Sequence, residues 1–150
     1  MTPLLVIGYG NELRGDDGVG PRVARLVGTW GRPGVRAIAV PQLVPELSVE
    51  LAGAERAVFV DAAANADGVL ATRLEPGDDV SAHGHVSTPG WLLALTGKVF
   101  GRSPEAWLVT VPACRFGFGA GLTPVAERGV REALRQIAAH AKRSEVMDCA

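Results

Sequence analysis

The chain has 150 residues, 47% of them hydrophobic and 21% charged, with 15 basic against 16 acidic side chains. This describes a single domain over residues 1–150, long enough to bury a core and too apolar to be disordered. A net charge of −1 offers no basic field for nucleic acid, and no run reaches the about 18 apolar residues of a membrane span.

The elements alternate along the chain. Leu4-Leu5-Val6-Ile7 is a continuous apolar run that ends at Gly8-Tyr9-Gly10-Asn11, as expected of a strand buried on both faces and followed by a turn. Val19, Val23, Leu26, Val27 and Trp30 recur three and four apart on one helix face. Pro21 belongs in a first turn, so this helix starts near residues 16–20. Residues 35–40 form a second strand. Pro45-Glu46-Leu47 opens a short helix, and Ala57-Val58-Phe59-Val60 is a third strand that ends at Asp61.

Residues 69–74 alternate apolar and polar, as in a strand with one solvated face. A parallel crossover from the third strand needs roughly ten to twelve residues. The connection is shorter, which predicts an antiparallel hairpin between strands three and four, turning near Asn65-Ala66-Asp67-Gly68. A helix follows at residues 91–99 and a last strand at 106–111. Thr123-Pro124 then supplies an N-cap and an N1 proline for a final helix. That helix is expected to fray after Ser144 and to leave His140 at the surface. The pattern predicts an α/β three-layer sandwich, with a mostly parallel five-stranded twisted sheet, one antiparallel strand, and helices on both faces.

The small counts limit the chemistry. Cys114 and Cys149 are too few for a disulfide framework or a thiolate zinc site, and the apolar start is too short for a signal segment. A cytoplasmic protein is expected. Sites in open α/β sheets lie beyond the carboxyl ends of strands, where the strand order reverses. If strands one and three are neighbours, Asp61 and the Asp16-Asp17 pair meet at one crevice. Each acid also has a local reading. A carboxylate at a helix start caps it, although two successive acids leave one unexplained, and Asp61 fits an Asx-turn at a strand end. Gly8-Tyr9-Gly10 lacks the third glycine of a dinucleotide loop. His83 and His85, with the carboxylates, form a nitrogen–oxygen ligand set of the kind that suits Ni²⁺ or Zn²⁺; a solvated loop explains them equally well.

Gly10-Asn11-x-Leu13-x-Gly15-Asp16-Asp17-Gly18-Val19-Gly20 resembles the N-terminal signature of the hydrogenase maturation proteases. The resemblance continues through Gln42-Leu43-x-Pro45-Glu46-Leu47 and Val58-Phe59-Val60-Asp61-Ala62, then His85 ahead of Leu92-Leu93. It ends with Phe116-Gly117-Phe118-Gly119-x-Gly121-Leu122-Thr123-Pro124, in the family's order over nearly the whole chain.

The resemblance implies an endopeptidase that removes the C-terminal extension of a nickel-loaded nickel–iron hydrogenase large-subunit precursor. It implies Asp17, Asp61 and His85 as the residues that meet nickel and serve catalysis, in an aspartyl-type or metal-assisted reaction. His83 is the neighbouring alternative to His85, whose spacing to Leu92-Leu93 fits better. Asp16 would cap the helix and orient Asp17, Gly10 and Asn11 would shape the turn, and Gln42 would line the groove. The Ni²⁺ would be presented by the substrate rather than held permanently. A non-catalytic nickel-binding checkpoint or chaperone module for the same precursor would use the same ligands. A monomer is expected, because no apolar stripe is left over once the core is assigned.

Overall fold

The computed structural model describes residues 1–77 and 87–148, with side chains through residue 143. Five strands, β1 (Thr2–Tyr9), β2 (Val35–Val40), β3 (Ala54–Ala64), β4 (Leu70–Leu74) and β5 (Glu105–Ala113), form one sheet in the order β2-β1-β3-β5-β4. All pairs are parallel except β4 with β5. The helices are α1 (Val19–Gly28), α2 (Leu47–Ala52), α3 (Pro89–Phe100) and α4 (Pro124–Asp148), and a 3₁₀ turn, Gly15–Gly18, precedes α1.

Strand alternation sorts the side chains into two cores. Leu4 and Val6 of β1, Val58 and Val60 of β3, and Val109 and Val111 of β5 pack with Val23 and Val27 of α1 and Val130 and Ile137 of α4. On the other face Leu5, Ile7, Ala57 and Phe59 meet Leu47 and Leu51 of α2 and Leu92 and Leu93 of α3. The central strands are therefore apolar on both sides, as their unbroken runs require.

The antiparallel member is β4, but its partner is β5 rather than β3. β3 and β5 pair from Arg56 with Glu105 to Ala64 with Ala113, so β5 occupies the place that a β3–β4 hairpin would need. Both of these strands are largely buried, whereas β4 is exposed over most of its length and suits an edge. Asn65, at φ 60°, turns the chain, and its N–H reaches the Ala113 carbonyl at 3.4 Å, which carries the connection past the end of β5.

Two further expectations change. The final helix continues through Asp148 instead of fraying after Ser144. His140 is half-buried, because its ring packs on Trp107 at 4.8 Å and its Nδ1 lies 3.1 Å from the Arg56 guanidinium. Trp91, Val99 and Phe100 of α3 are exposed.

Candidate active site

The strand order reverses between β1 and β3: β2 lies outward of β1, while β5 and β4 lie outward of β3. This is the position where α/β sheets open a crevice. The sheet also steps there. Pairing of β1 with β3 stops at Gly8 opposite Val60, whereas β3 runs on beside β5 to Ala64. Asp61 stands at this step. It is not in an Asx-turn after the strand but within β3, opposite Thr110 of β5.

Close approach of the first motif to this step depends on glycine. A Cβ on Gly20, in the first turn of α1, would lie 2.4 Å from the Tyr9 carbonyl oxygen and 2.6 Å from that of Val60. Only a hydrogen there lets the helix start between the two strand ends. At Gly10, where φ is 147°, a Cβ would fall 2.0 Å from the Asp17 carbonyl oxygen. Gly10 N–H in turn donates to the Val40 carbonyl at 3.2 Å. The motif is thus fastened to the end of β2 on one side and to the 3₁₀ turn on the other.

Asp17 sits in that turn, half-buried. Its Oδ2 accepts the Asn11 N–H at 2.6 Å, and Asn11 Oδ1 accepts the Leu13 N–H at 2.9 Å. Asn11 therefore shapes the turn and aims the neighbouring acid together. Asp61 accepts hydrogen bonds from the Tyr9 hydroxyl and from the Ala62 N–H, the latter at 2.8 Å. Burial raises its pKa and the charge of Asp17 adds to the rise, against the opposing pull of the two hydrogen bonds. Among the described residues neither acid has a cationic partner in an ion pair. Two carboxylates that sense each other, with no counter-charge supplied, suit a visiting cation or a shared proton.

Asp16 does different work. It is fully buried and makes no side-chain cap to the 3₁₀ turn or to α1, so helix capping is not its role. Its carboxylate accepts from the N–H groups of Cys114 at 2.8 Å, Arg115 at 3.1 Å and Thr123 at 2.8 Å, and from the Thr123 hydroxyl at 2.7 Å. Burial pushes its pKa up, but these hydrogen bonds together outweigh burial and hold it below the ordinary value. The Thr123 hydroxyl also accepts from Ala126 N–H at 3.3 Å at the start of α4. Asp16 thereby joins the first motif to the loop after β5 and positions Asp17 through the backbone.

Gln42 is exposed two residues past Val40, near the Gly10 end of the motif. His83 and His85 lie outside the described residues. Among the described residues no three His, Cys, Asp or Glu side chains converge to hold a metal. The sequence marks Thr123 only as an N-cap and does not reveal its hydrogen bonds to Asp16, nor the bond from Tyr9 to Asp61. Tyr9 becomes visible only from register, since Gly8 opposite Val60 sets Tyr9 beside Asp61.

The fold and site define an α/β sandwich with a carboxylate pair at its topological switch point. Solved structures with the same fold include the hydrogenase maturating endopeptidase HybD from E. coli, at a TM-score of 0.75 and 22% identity over 95% of this chain and 93% of that one. The NiFe hydrogenase maturation protease HycI from Thermococcus kodakarensis matches at 0.71 and 22% over 94% and 93%. A hydrogenase 2 maturation peptidase from a Thaumarchaeota archaeon matches at 0.66 and 24% over 90% and 95%. No family model matches the sequence, and no curated protein matches it. At these identities the likeness establishes the fold, and it is the fold that the motif resemblance predicts. No helix among the described residues is long and apolar enough to cross a membrane.

Proposed function

We propose that this protein is an endopeptidase of hydrogenase maturation, which cleaves a C-terminal extension from a nickel-loaded large-subunit precursor. The observation that carries the reading is the pairing of Asp17 with Asp61 at the switch point, in a fold shared with proteins named as maturation proteases. In this reading the nickel belongs to the substrate. Asp17 and Asp61 offer oxygen donors to it and His85 offers the imidazole, a hard-to-borderline set without thiolate that allows release of the product. The scissile peptide is then held beside the pair, and water adds across the bond to leave a new carboxylate and a free amine.

The test mixes the protein with nickel-loaded and nickel-free precursor and follows the precursor's mass. Loss of a short C-terminal peptide from the loaded form alone is expected. Binding without any loss of mass would replace the peptidase with a checkpoint module, and cleavage of both forms would remove nickel from the reaction. The enzyme itself is expected to hold no stoichiometric metal after chelation and dialysis. Activity in His85→Ala with loss in His83→Ala would move the imidazole role to His83.

A further inference from the structure

We infer that Leu13, Arg14, Arg115 and Phe118 form a docking ridge beside the acid pair, and that its occupant is a segment of the precursor polypeptide bearing an apolar side chain flanked by carboxylates. The inference rests on the function proposed above and adds how the client is held before chemistry.

Leu13 is 66% exposed and Phe118 is 86% exposed, on two separate loops. The Arg14 guanidinium lies over the Phe118 ring, 5.4 Å from its centroid, so one aromatic and one cationic surface are presented together. Such exposure would ordinarily accompany a loose loop, but both loops are fastened. Gly15 N–H donates to Gly119 O at 3.0 Å, and Gly119 N–H donates to Leu13 O at 2.9 Å, a short parallel bridge between Arg14 and Gly119. Asp16 clamps the base of the same loop through Cys114, Arg115 and Thr123. The apolar tips therefore stand on a pre-ordered frame, which lowers the entropy lost on binding.

Charge points to the occupant. Among the described residues neither Arg14 nor Arg115 forms an ion pair. The Arg14 guanidinium over Phe118, with the exposed Arg115 on the Phe118 loop, complements an acidic, apolar segment. The ridge is continuous with the site, because Asp17 follows Arg14 by three residues in the same turn and its N–H donates to the Arg14 carbonyl at 3.1 Å.

Nickel-free precursor separates docking from any contact between nickel and the acids. Immobilised wild-type protein is expected to bind it, and the Leu13→Ala/Phe118→Ala double variant to bind about tenfold more weakly. Arg14→Glu is expected to weaken binding and to flatten its dependence on salt. Val99→Ser, on the exposed face of α3, is the matched control and is expected to bind as wild type does. Circular dichroism melts check that the variants are folded, as the exposure of the altered side chains predicts. Absence of binding by wild type, or a double variant within about twofold of it, overturns the inference. Wild type that binds this precursor through the ridge yet never cleaves the loaded form sinks the peptidase reading and leaves the ridge standing.

Discussion

Asp16 and Asp61 are both acids close to the first motif, and their surroundings are opposite. Asp16 has no exposure to solvent and four donors on its carboxylate. Asp61 is partly exposed, keeps two donors, and feels a second carboxylate. The first environment stabilises charge and the second penalises it, so their pKa values move apart. A saturated carboxylate holds structure together, whereas an under-satisfied one keeps affinity for a ligand.

That contrast breaks most sharply at Asp61. Asp61→Asn is expected to lower precursor processing by about a thousandfold or more, measured by the rate of peptide release. Its melting temperature should hold or rise, because a neutral amide removes the cost of a buried charge. A large drop in melting temperature would make Asp61 a structural acid like Asp16.

Asp16→Ala should do the reverse of a clean catalytic loss. It leaves three N–H groups and one hydroxyl without their acceptor, and denaturant unfolding should show a loss of about 3 kcal/mol. Acid titration gives a smaller effect of the same origin. The folded-state pKa of Asp16 is depressed, so its contribution is complete above the unfolded value of about 3.9 and is lost as pH falls through the lower folded value. Urea midpoints measured downward from about pH 5 should fall, and Asp16→Asn should flatten that fall.

The smallest effect lies at the opposite end of the sheet. Burial lowers the pKa of His140, helped by the charges of Arg56 and Arg143, so the folded protein prefers the neutral ring. Stability from this source is complete above the unfolded value of about 6.5 and declines as pH drops through it toward the folded value. His140→Gln should remove a shallow acid-side slope in the melting temperature. An unchanged slope would show that the ring is not desolvated against Trp107.

Much of this was legible in the chain. Unbroken apolar runs marked the buried strands, the three-and-four spacing marked α1, and Thr123-Pro124 marked the start of α4, because each is a local consequence of burial or of backbone geometry. The meeting of Asp17 with Asp61 followed from topology once β1 and β3 were taken as neighbours. Pairing between distant segments was harder to read. A short connection after β3 suggested a hairpin, yet β5, written forty residues later, competes better for the edge of β3 because it buries both faces. His140 looked like a surface residue beside Lys142 and Arg143, since nothing local reveals that Trp107 and Arg56 wait opposite it.

Asp16 shows where the boundary between the two lies. The sequence alone determined that two adjacent acids follow a glycine-rich turn and precede a helix, and that the turn sits at the end of a buried strand. It did not determine which acid points inward. Tertiary structure decided that, because the donors that satisfy Asp16 come from residues 114, 115 and 123, about a hundred positions away, and only the folded sheet brings β5 and the start of α4 to the first motif. A buried carboxylate is tolerable only where donors already converge. Its neighbour Asp17, held by the Asn11 N–H alone among the hydrogen bonds described, is the one left to act on Asp61.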